Sequence, residues 1–582
     1  MSVADEQRSQ PAVLSATKPP RSIFSQISFR EERFFLVLAI LIGILSGLAV
    51  VCFRIAIEWS RLVFLGPGAT PSGWRVIAAP VLVGLAVAAL VILAFPSVRG
   101  SGVNQTKAAL YIYNGFIPFK TAIGKFITSA MAIGAGQSLG PEDPSLQIGA
   151  ALASALGRRL RLSREKLRLI APVGAAAGLA AAFNAPISAV LFVIEEVIGR
   201  WSAGILGAVV LSAISSVMVT RWFLGAAPLF RIPAMEPVHP SELVAYAILG
   251  IVGGLASIVF ARGIGVLRPR LKRAPGWTQY FQPAVAGLII GLIGYIGFPQ
   301  VMGAGYDAID RAMHGQFTWE VLGALAGLKI LSTTMSFVSG TPGGMFAPTL
   351  FIGAMLGGAV GGVERMFFPA HLAGTVATYA LVGMGVLFAG FLRAPMTSVF
   401  MVLEVSGNYS IIVPVMIANT LAYLISRTFV PVPIFDLLSR QDGIELPSME
   451  EERELPILRV EDAMEPPAKM VLNGSETVAS AVNCTDKIAE ENFLAYDPEI
   501  GWGVVSREAL RSLAADKQAG SVPVKSVYAE NPVPHLFPDS TLEMALRYVY
   551  DWPLLPVVHR ADLSRLEGIL SVQSVLRKYR SS

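Results

Sequence analysis

The sequence has little charge, little cysteine and little histidine. Only 15% of its 582 residues are charged, against about 25% in an ordinary soluble domain, so the chain cannot solvate several soluble domains. Its two cysteines, Cys52 and Cys484, exclude a disulfide framework, and its five histidines form no HExxH motif or Cys/His cluster of a metalloenzyme. The hydrophobic share is 53% and the mean hydropathy is +0.59, which indicates a membrane protein.

The net charge is +5, but the positions of the basic residues do not indicate a nucleic-acid partner. They are concentrated in short loops between apolar runs, at 158–168 and 262–273. Such loops are typical of the cytoplasmic side of a membrane protein. We therefore expect a lipid bilayer around this chain and no bound nucleic acid.

The distribution of apolar residues predicts four parts. They are a polar cytoplasmic tail (1–31), a transmembrane domain (32–440), an acidic linker (441–455) and a soluble α/β region (456–582). A spanning helix needs about 20 apolar residues, and several runs reach that length, whereas 146–157 and 395–404 predict half-helices. The long runs are 34–57, 75–95, 203–224, 243–266 and 411–426 with its flanks.

The apolar region contains an internal repeat. KFITSAMAIGAG (125–136) aligns with KILSTTMSFVSG (329–340), and APISAVLFVIE (185–195) aligns with APMTSVFMVLE (394–404). We place repeat one at about 34–225 and repeat two at about 243–440. The first span ends in a weakly charged segment and its counterpart ends in the basic run 262–273, so the repeats are expected to cross the membrane in opposite directions. Inverted repeats place a transport site near the midplane.

Three glycine-rich breaks interrupt the apolar region. They read Gly100-Ser101-Gly102-Val103-Asn104, Gly140-Pro141-Glu142-Asp143-Pro144 and Gly344-Met345-Phe346-Ala347-Pro348. Each precedes a renewed helix, whose N-terminus carries unpaired N–H groups and a partial positive charge. Several such N-termini directed at one point bind an anion without a full cation. Packing kinks are the alternative, but the second and third motifs occupy equivalent positions of the two repeats.

These motifs resemble the filter sequences of the CLC family of chloride channels and proton/chloride antiporters, G-S-G-I-P, G-[KR]-E-G-P and G-x-F-x-P. AAFNAP (181–186) and the inverted repeat extend the resemblance over residues 34–440. The resemblance implies an all-α polytopic membrane fold of tilted and re-entrant helices. It also implies a homodimer with one pore per subunit that transports chloride.

The resemblance implies roles for individual residues. Ser101, Met345, Phe346 and Phe435 match positions that bind chloride, and a serine at position 101 suits chloride where some members with proline prefer nitrate. Glu142 matches the gating glutamate, whose ionised carboxylate occupies an anion site and leaves it when protonated. The glycines and prolines that complete the filter motifs are Gly100, Gly102, Gly140, Pro144, Gly344 and Pro348.

Glu196 falls where antiporter members of the family keep an internal proton-transfer glutamate. A glutamate at a helix end that reaches the interface near Arg200 is the alternative interpretation. The neighbouring Glu195 and its repeat mate Glu404 are expected to be structural.

The sequence also departs from the family pattern. Pro141 and Asp143 replace the basic residue and the second glycine of the second motif, which predicts a more negative outer mouth and weaker anion entry. Asn104 and Gln105 replace Pro-Glu, and Phe435 replaces a tyrosine, so one hydroxyl contact to the anion is lost.

The soluble region resembles a pair of CBS domains. VEDAM (460–464) is expected to open a diverged first copy, and 538–579 forms the second. Ala509 and Ser574 stand where nucleotide-binding members carry an aspartate. A structural or dimerising role is therefore favoured over adenine-nucleotide binding.

The favoured function is proton-coupled chloride antiport gated by a glutamate, and a passive voltage- or pH-gated chloride channel is the alternative. An enzyme using Ser101 or Glu142 and Asp143 is disfavoured because no base follows at a recognisable spacing. A divalent-cation channel is disfavoured because helix N-termini select anions. We expect no metal and no cofactor, a bacterial inner membrane, no cleaved signal peptide and both termini in the cytoplasm.

Overall fold

The chain is described by a computed structural model. The described residues are 23–68, 73–199, 203–226, 229–230, 232–233, 242–368, 374–448, 458–466, 471–488, 490–515 and 521–581. Their contacts divide the chain into two compact units, Met1–Arg453 and Glu454–Ser582. Most of the predicted tail, and four glutamates of the predicted linker (Glu450, Glu451, Glu452 and Glu454), lie outside the described residues.

The first unit is helical. Its helices are α1 (Ile23–Leu65), α2 (Arg75–Leu93), α3 (Gly102–Tyr111), α4 (Phe119–Gly134), α5 (Glu142–Arg159), α6 (Arg164–Phe183), α7 (Pro186–Phe192), α8 (Ala203–Leu224), α9 (Glu242–Arg273), α10 (Gln282–Ile296), α11 (Tyr306–Met313), α12 (Trp319–Val338), α13 (Phe346–Phe367), α14 (Val376–Leu392), α15 (Pro395–Ser406), α16 (Ile412–Phe429) and α17 (Ile434–Gln441). A π-helical segment, Val193–Ile198, continues α7. Short 3₁₀ segments lie at Pro96–Val98, Gly276–Tyr280, Pro299–Val301 and Tyr409–Ile411.

In the part of the chain that the structure describes, eight helical segments are long and apolar enough to cross a membrane. They include the predicted long runs and three further helices, α6, α12 and α13. α1 begins at Ile23, inside the predicted tail, because no glycine or proline separates SFREER from the apolar run that follows. α5 is longer than the predicted half-helix 146–157, since it begins at Glu142 and ends at Arg159.

Pairs of glycines bring neighbouring helices into backbone contact in both repeats. A Cβ placed on Gly149 of α5 would lie 2.2 Å from the carbonyl oxygen of Gly174 in α6. A Cβ on Gly353 of α13 would lie 2.2 Å from the carbonyl oxygen of Gly383 in α14. Small residues permit such close crossings in membranes, where packing rather than the hydrophobic effect drives helix association. The helices that begin at the second and third filter motifs are therefore held by the same contact.

The second unit contains a β-α-β-β-α module and a similar module in which an isolated bridge replaces the first strand. The first consists of β1 (Val471–Asn473), α19 (Val478–Thr485), β2 (Asn492–Asp497), β3 (Gly501–Ser506) and α20 (Arg507–Ala515). In the second, a bridge at Leu536 is followed by α22 (Leu542–Val549), β4 (Leu555–His559), β5 (Asp562–Leu570) and α23 (Val572–Ser581). The short helices α18 (Val460–Ala463) and α21 (Lys525–Tyr528) complete this unit.

The two modules pair their strands in the same way. β2 is parallel to β1 and antiparallel to β3, while β4 is antiparallel to β5 and pairs in parallel with Leu536. The first sheet is fully formed although its strand signals in the sequence are weak, because β2 takes hydrogen bonds from strands on both of its edges.

VEDAM (460–464) does not open the first module, contrary to the prediction. Val460 and Ala463 belong to the apolar core around Leu542 and Leu570 of the second module. The Glu465 N–H donates to the carbonyl oxygen of Ile569 at 2.8 Å. Two apolar residues on one side of a short helix therefore cover the second sheet.

We predict that Gly149→Ala destabilises the protein, because its methyl group would overlap a carbonyl of α6. The expected cost is about 1–3 kcal/mol or more, as for other overpacked cores. Thermal unfolding of detergent-purified protein measures it. The control is Gly327→Ala in α12, where a Cβ meets nothing within 4 Å and the exchange should be neutral or slightly stabilising. Equal melting temperatures for the two variants would contradict the packing argument.

Candidate anion pathway

The second and third filter motifs pair directly with each other. The Gly140 N–H donates to the Gly344 carbonyl oxygen, and the Gly344 N–H donates to the Gly140 carbonyl oxygen, each at 2.8 Å. Reciprocal contacts between equivalent residues are those of a local twofold axis. The starts of α5 and α13 are thereby held side by side.

Glu142, the first residue of α5, directs its carboxylate to the start of α13. Its Oε2 accepts a hydrogen bond from the Ala347 N–H at 3.3 Å, and its Oε1 accepts one from the Tyr306 hydroxyl. Glu142 is fully buried. A Cβ on Gly140 would lie 2.3 Å from Glu142 Oε2, so this arrangement requires glycine at position 140. A carboxylate thus lies at a helix N-terminus, where an anion is stabilised.

Asp143, the next residue, directs its carboxylate to the start of α3. Oδ1 accepts from the Ser101 hydroxyl at 2.9 Å and the Val103 N–H at 3.2 Å, and Oδ2 accepts from the Gly102 N–H at 2.8 Å. The Lys125 ammonium lies 3.9 Å from Oδ2. Because Asp143 is only 3% exposed, it does not line an outer mouth as the sequence suggested. It lies against the serine of the first filter motif.

The other predicted chloride ligands lie around the start of α13. Met345 precedes this helix and Phe346 begins it, and both are buried. The Phe435 ring lies 6.3 Å from the Phe346 ring, centroid to centroid, within an aromatic cluster that includes Phe192. Asn104 Nδ2 donates to the Phe435 carbonyl oxygen at 2.8 Å, so an apparent departure from the family motif joins α17 to α3.

The remaining filter residues shape the helix starts. Gly100 has a positive φ of 86°, which turns the chain immediately before α3, and Gly102 is the first residue of that helix. Pro144 and Pro348 lie in the first turns of α5 and α13. A proline is tolerated there because the first N–H groups of a helix have no partner within it.

Two basic cavities approach these helix starts. One, of about 540 Å³, is lined by Ser101 together with Arg99, Arg268, Lys272 and the carboxylate of Asp442. We call it the serine vestibule.

The other cavity, of about 640 Å³, is lined by Pro141 and Tyr306. We call it the glutamate vestibule. Its charged lining residues are Arg54, Glu58, Arg61, Asp307 and Arg311. Cationic side chains outnumber carboxylates in both vestibules, which favours the entry of anions.

Glu196 lies in the π-helical segment after α7 and is 3% exposed. Its Oε1 accepts from the Lys107 ammonium at 3.3 Å, and Lys107 also donates to Asp436 Oδ1 at 3.2 Å. All three side chains are buried, and Ser448 donates to the second oxygen of Asp436. Glu196 therefore belongs to a buried ion triad, while Arg200, its predicted neighbour at the interface, lies outside the described residues.

Two further pairs make equivalent contacts in the two repeats. Lys125 donates to the carbonyl oxygens of Val98 and Gly100, and Lys329 donates to those of Val301 and Gly303. These lysines bind the loops that precede α3 and α11.

The Glu195 carboxylate accepts from the backbone N–H groups of Met396 and Thr397 at the start of α15. The Glu404 carboxylate accepts from those of Ile187 and Ser188 at the start of α7. Each glutamate therefore caps a helix of the other repeat, which is a structural role.

Three residues at this site have no clear signal in the sequence. Lys107 and Asp436 are isolated charges in the sequence, and Tyr306 is aligned with Val103 in the repeat. Only the fold brings Lys107 and Asp436 to Glu196, and Tyr306 to Glu142. Among the residues that the structure describes, no group of three or more His, Cys, Asp or Glu side chains could hold a metal ion.

Known proteins resemble this chain in sequence and in fold. The sequence profile described as "Voltage gated chloride channel" matches residues 83–427. The H(+)/Cl(-) exchange transporters ClcA of Salmonella paratyphi B and Salmonella newport are each 32% identical over 425 residues, which is 70% of this chain and 89% of theirs.

Solved structures share the fold. A slow cyanobacterial Cl-/H+ antiporter matches with a TM-score of 0.63 at 25% identity, over 70% of this chain and 98% of its own. A eukaryotic CLC transporter matches with a TM-score of 0.61 at 20% identity, over 94% of this chain and 99% of its own. A CLC-type fluoride/proton antiporter matches with a TM-score of 0.60 at 21% identity, over 72% of this chain and 99% of its own.

The profile covers more than half of the chain, and the Salmonella exchangers are matched over most of their length. With its spanning helices and paired filter motifs, the chain belongs to the voltage-gated chloride channel (CLC) family, a family of membrane anion transporters and not of enzymes.

Proposed function

We propose that this protein is a proton-coupled chloride antiporter in which Glu142 is the gate. The observation that carries the proposal is the position of the Glu142 carboxylate, 3.3 Å from the Ala347 N–H at the start of α13. An ionised carboxylate there competes with chloride for the same N–H groups, and a protonated one competes poorly. Occupation of this position by the side chain or by chloride therefore depends on a proton, which is the requirement for coupling.

Ser101, Met345, Phe346 and Phe435 are the proposed chloride ligands and walls. Ser101 offers a hydroxyl at the serine vestibule, and Met345 and Phe346 offer backbone N–H groups where α13 begins. Phe435 closes the pathway with its ring.

Glu196 is the proposed internal proton carrier. With Lys107 positive and both carboxylates ionised, the buried triad carries one net negative charge, and one added proton neutralises it. Glu196 is the proposed member of the triad that accepts and releases the proton, and an ionisable group inside a membrane protein is a functional candidate.

A passive chloride channel is the second candidate, and a specific observation favours it. Phe435 lies at the pathway without the hydroxyl that a tyrosine would direct at the anion. A weaker hold on chloride would loosen the exchange of one ion for another. Proton movement under a chloride gradient separates the two candidates.

The second unit is proposed to be a CBS pair, supported by its two modules of similar element order and strand pairing. Ala509 and Ser574 lie in the helices that follow β3 and β5, so neither module offers a carboxylate to a ribose there. We further propose that this unit has a structural role and that the protein is a homodimer with one pathway per protomer. It is placed in a bacterial inner membrane with both termini in the cytoplasm. Cross-linking of purified protein tests the dimer.

We predict that Glu142→Gln abolishes proton coupling while chloride still crosses. The amide keeps the size of the side chain but cannot gain or lose a proton. Chloride-driven proton uptake into proteoliposomes should fall by about 100-fold, the lower range for removal of a proton-transfer group. Asp307→Asn is the matched control, because it removes a carboxylate from the glutamate vestibule but leaves α13 untouched. Unchanged proton uptake in Glu142→Gln would refute the gate.

We predict that Glu196→Gln stops proton movement and leaves a chloride leak. The fold should survive, because Lys107 keeps Asp436 as its counter-ion. Asp436→Asn is the matched control, since it removes the same charge from the triad but keeps Glu196 titratable, and it should retain proton transport. A pH electrode and a chloride electrode on one liposome sample record both fluxes. Proton flux that survives Glu196→Gln but not Asp436→Asn would assign the carrier role to Asp436 instead.

We predict that the full-length protein binds ATP and AMP no more tightly than about 1 mM, because a carboxylate partner for the ribose is missing. Isothermal titration of detergent-purified protein checks this. Saturable micromolar heat with either nucleotide would overturn the structural role of the second unit.

A further inference from the structure

Asp143 and Glu142 are adjacent residues, but their carboxylates contact two different helix N-termini. Consecutive residues of a helix point about 100° apart, so the first turn of α5 directs Glu142 to α13 and Asp143 to α3. Glu142 lies beside the glutamate vestibule through Tyr306, and Asp143 lies beside the serine vestibule through Ser101. The pathway therefore contains two carboxylates at helix N-termini. Glu142 is the proposed gate, and the proposed function gives Asp143 no role.

The contacts of Asp143 are those that a bound anion would make. Its carboxylate accepts hydrogen bonds from one hydroxyl and from two backbone N–H groups of α3, and a buried ammonium lies 3.9 Å away. Such a set stabilises a negative charge strongly, because each donor is fixed and the dipole of α3 adds to the charge of Lys125.

The fold does not require this carboxylate to start α3. Ser101 is already the N-cap of α3, and its hydroxyl oxygen accepts from the Val103 N–H at 3.2 Å. The second repeat offers an internal comparison: Lys329 binds its two carbonyl oxygens as Lys125 does, yet the position equivalent to Asp143 is Ala347. The arrangement of lysine, loop and helix thus forms without a carboxylate.

We propose that Asp143 is a second gate, whose carboxylate occupies the anion position at the start of α3 and must leave before chloride binds there. This rests on the proposed function, because it takes the start of α3 as part of the chloride pathway. An ion that enters from the serine vestibule meets Asp143 on the Ser101 hydroxyl. The protein therefore binds chloride weakly at this position until Asp143 moves away.

The test is chloride binding by the full-length protein in detergent, measured by isothermal titration at one fixed pH. Asp143→Asn keeps the size of the side chain and removes its charge, and Asp143→Gly removes the side chain. We expect chloride affinity to rise about tenfold in the first variant and further in the second, because a charge-assisted competitor is weakened and then deleted. Bromide should then give an anomalous diffraction peak at the start of α3 in Asp143→Gly.

Asp442→Asn is the matched control, since Asp442 lines the same vestibule but binds Arg268 and Lys272 rather than α3. A general electrostatic effect at this exposed position is screened by salt and should change the affinity by less than about threefold. A second check combines Asp143→Asn with Ser101→Ala. If chloride takes over the serine hydroxyl that Asp143 releases, the gain in affinity should shrink in the double variant.

Several outcomes would overturn the proposal. They are an unchanged chloride affinity in both Asp143 variants, an equal gain in Asp442→Asn, or failure of both Asp143 variants to fold, which would make Asp143 a structural cap. The binding measurement needs no proton gradient. Tighter chloride binding in the Asp143 variants, with no proton transport by the wild-type protein, would therefore support the second gate and refute antiport. Proton transport by the wild-type protein, with unchanged chloride binding in the variants, would support antiport and refute the second gate.

Discussion

Two backbone hydrogen bonds between Gly140 and Gly344 are the contact on which the rest of the pathway depends. Non-helical backbone at membrane depth has no water to bond, and each unsatisfied group there costs several kcal/mol. The two filter loops satisfy each other's backbone groups, since the N–H and the carbonyl oxygen of each glycine bond those of the other. The same pairing places the start of α13 within reach of Glu142.

The two repeats share a scaffold but differ in their acids. Lys125 and Lys329 bind equivalent carbonyl oxygens, and Glu195 and Glu404 cap equivalent helices. At the filter, by contrast, Glu142 is aligned with Phe346. Symmetric contacts hold the helix N-termini in place, and the asymmetric carboxylates occupy them. One repeat thus contributes the Glu142 carboxylate, and the other contributes the helix N-terminus that this carboxylate contacts.

Two buried lysines of this fold lie close to carboxylates. Lys107 lies between Glu196 and Asp436, and Lys125 lies beside Asp143. Removing both carboxylates from Lys107 would leave an uncompensated buried charge, which is strongly destabilising. Lys107 keeps Asp436 as its counter-ion when the charge of Glu196 is removed, so the proposed proton role of Glu196 is compatible with stability.

Residue order alone determined the membrane class, the internal repeat and the three glycine-rich helix starts, because these depend on composition and spacing along the chain. It also placed Glu142 at one of these helix starts, since its motif is local. The tertiary structure alone decided which groups meet: Lys107 and Asp436 reach Glu196 across more than 80 and 200 residues of chain. It also moved Asp143 from a predicted outer mouth to the Ser101 hydroxyl. A local motif shows that a helix starts with a carboxylate, but the direction in which that side chain points depends on helices packed from elsewhere in the sequence.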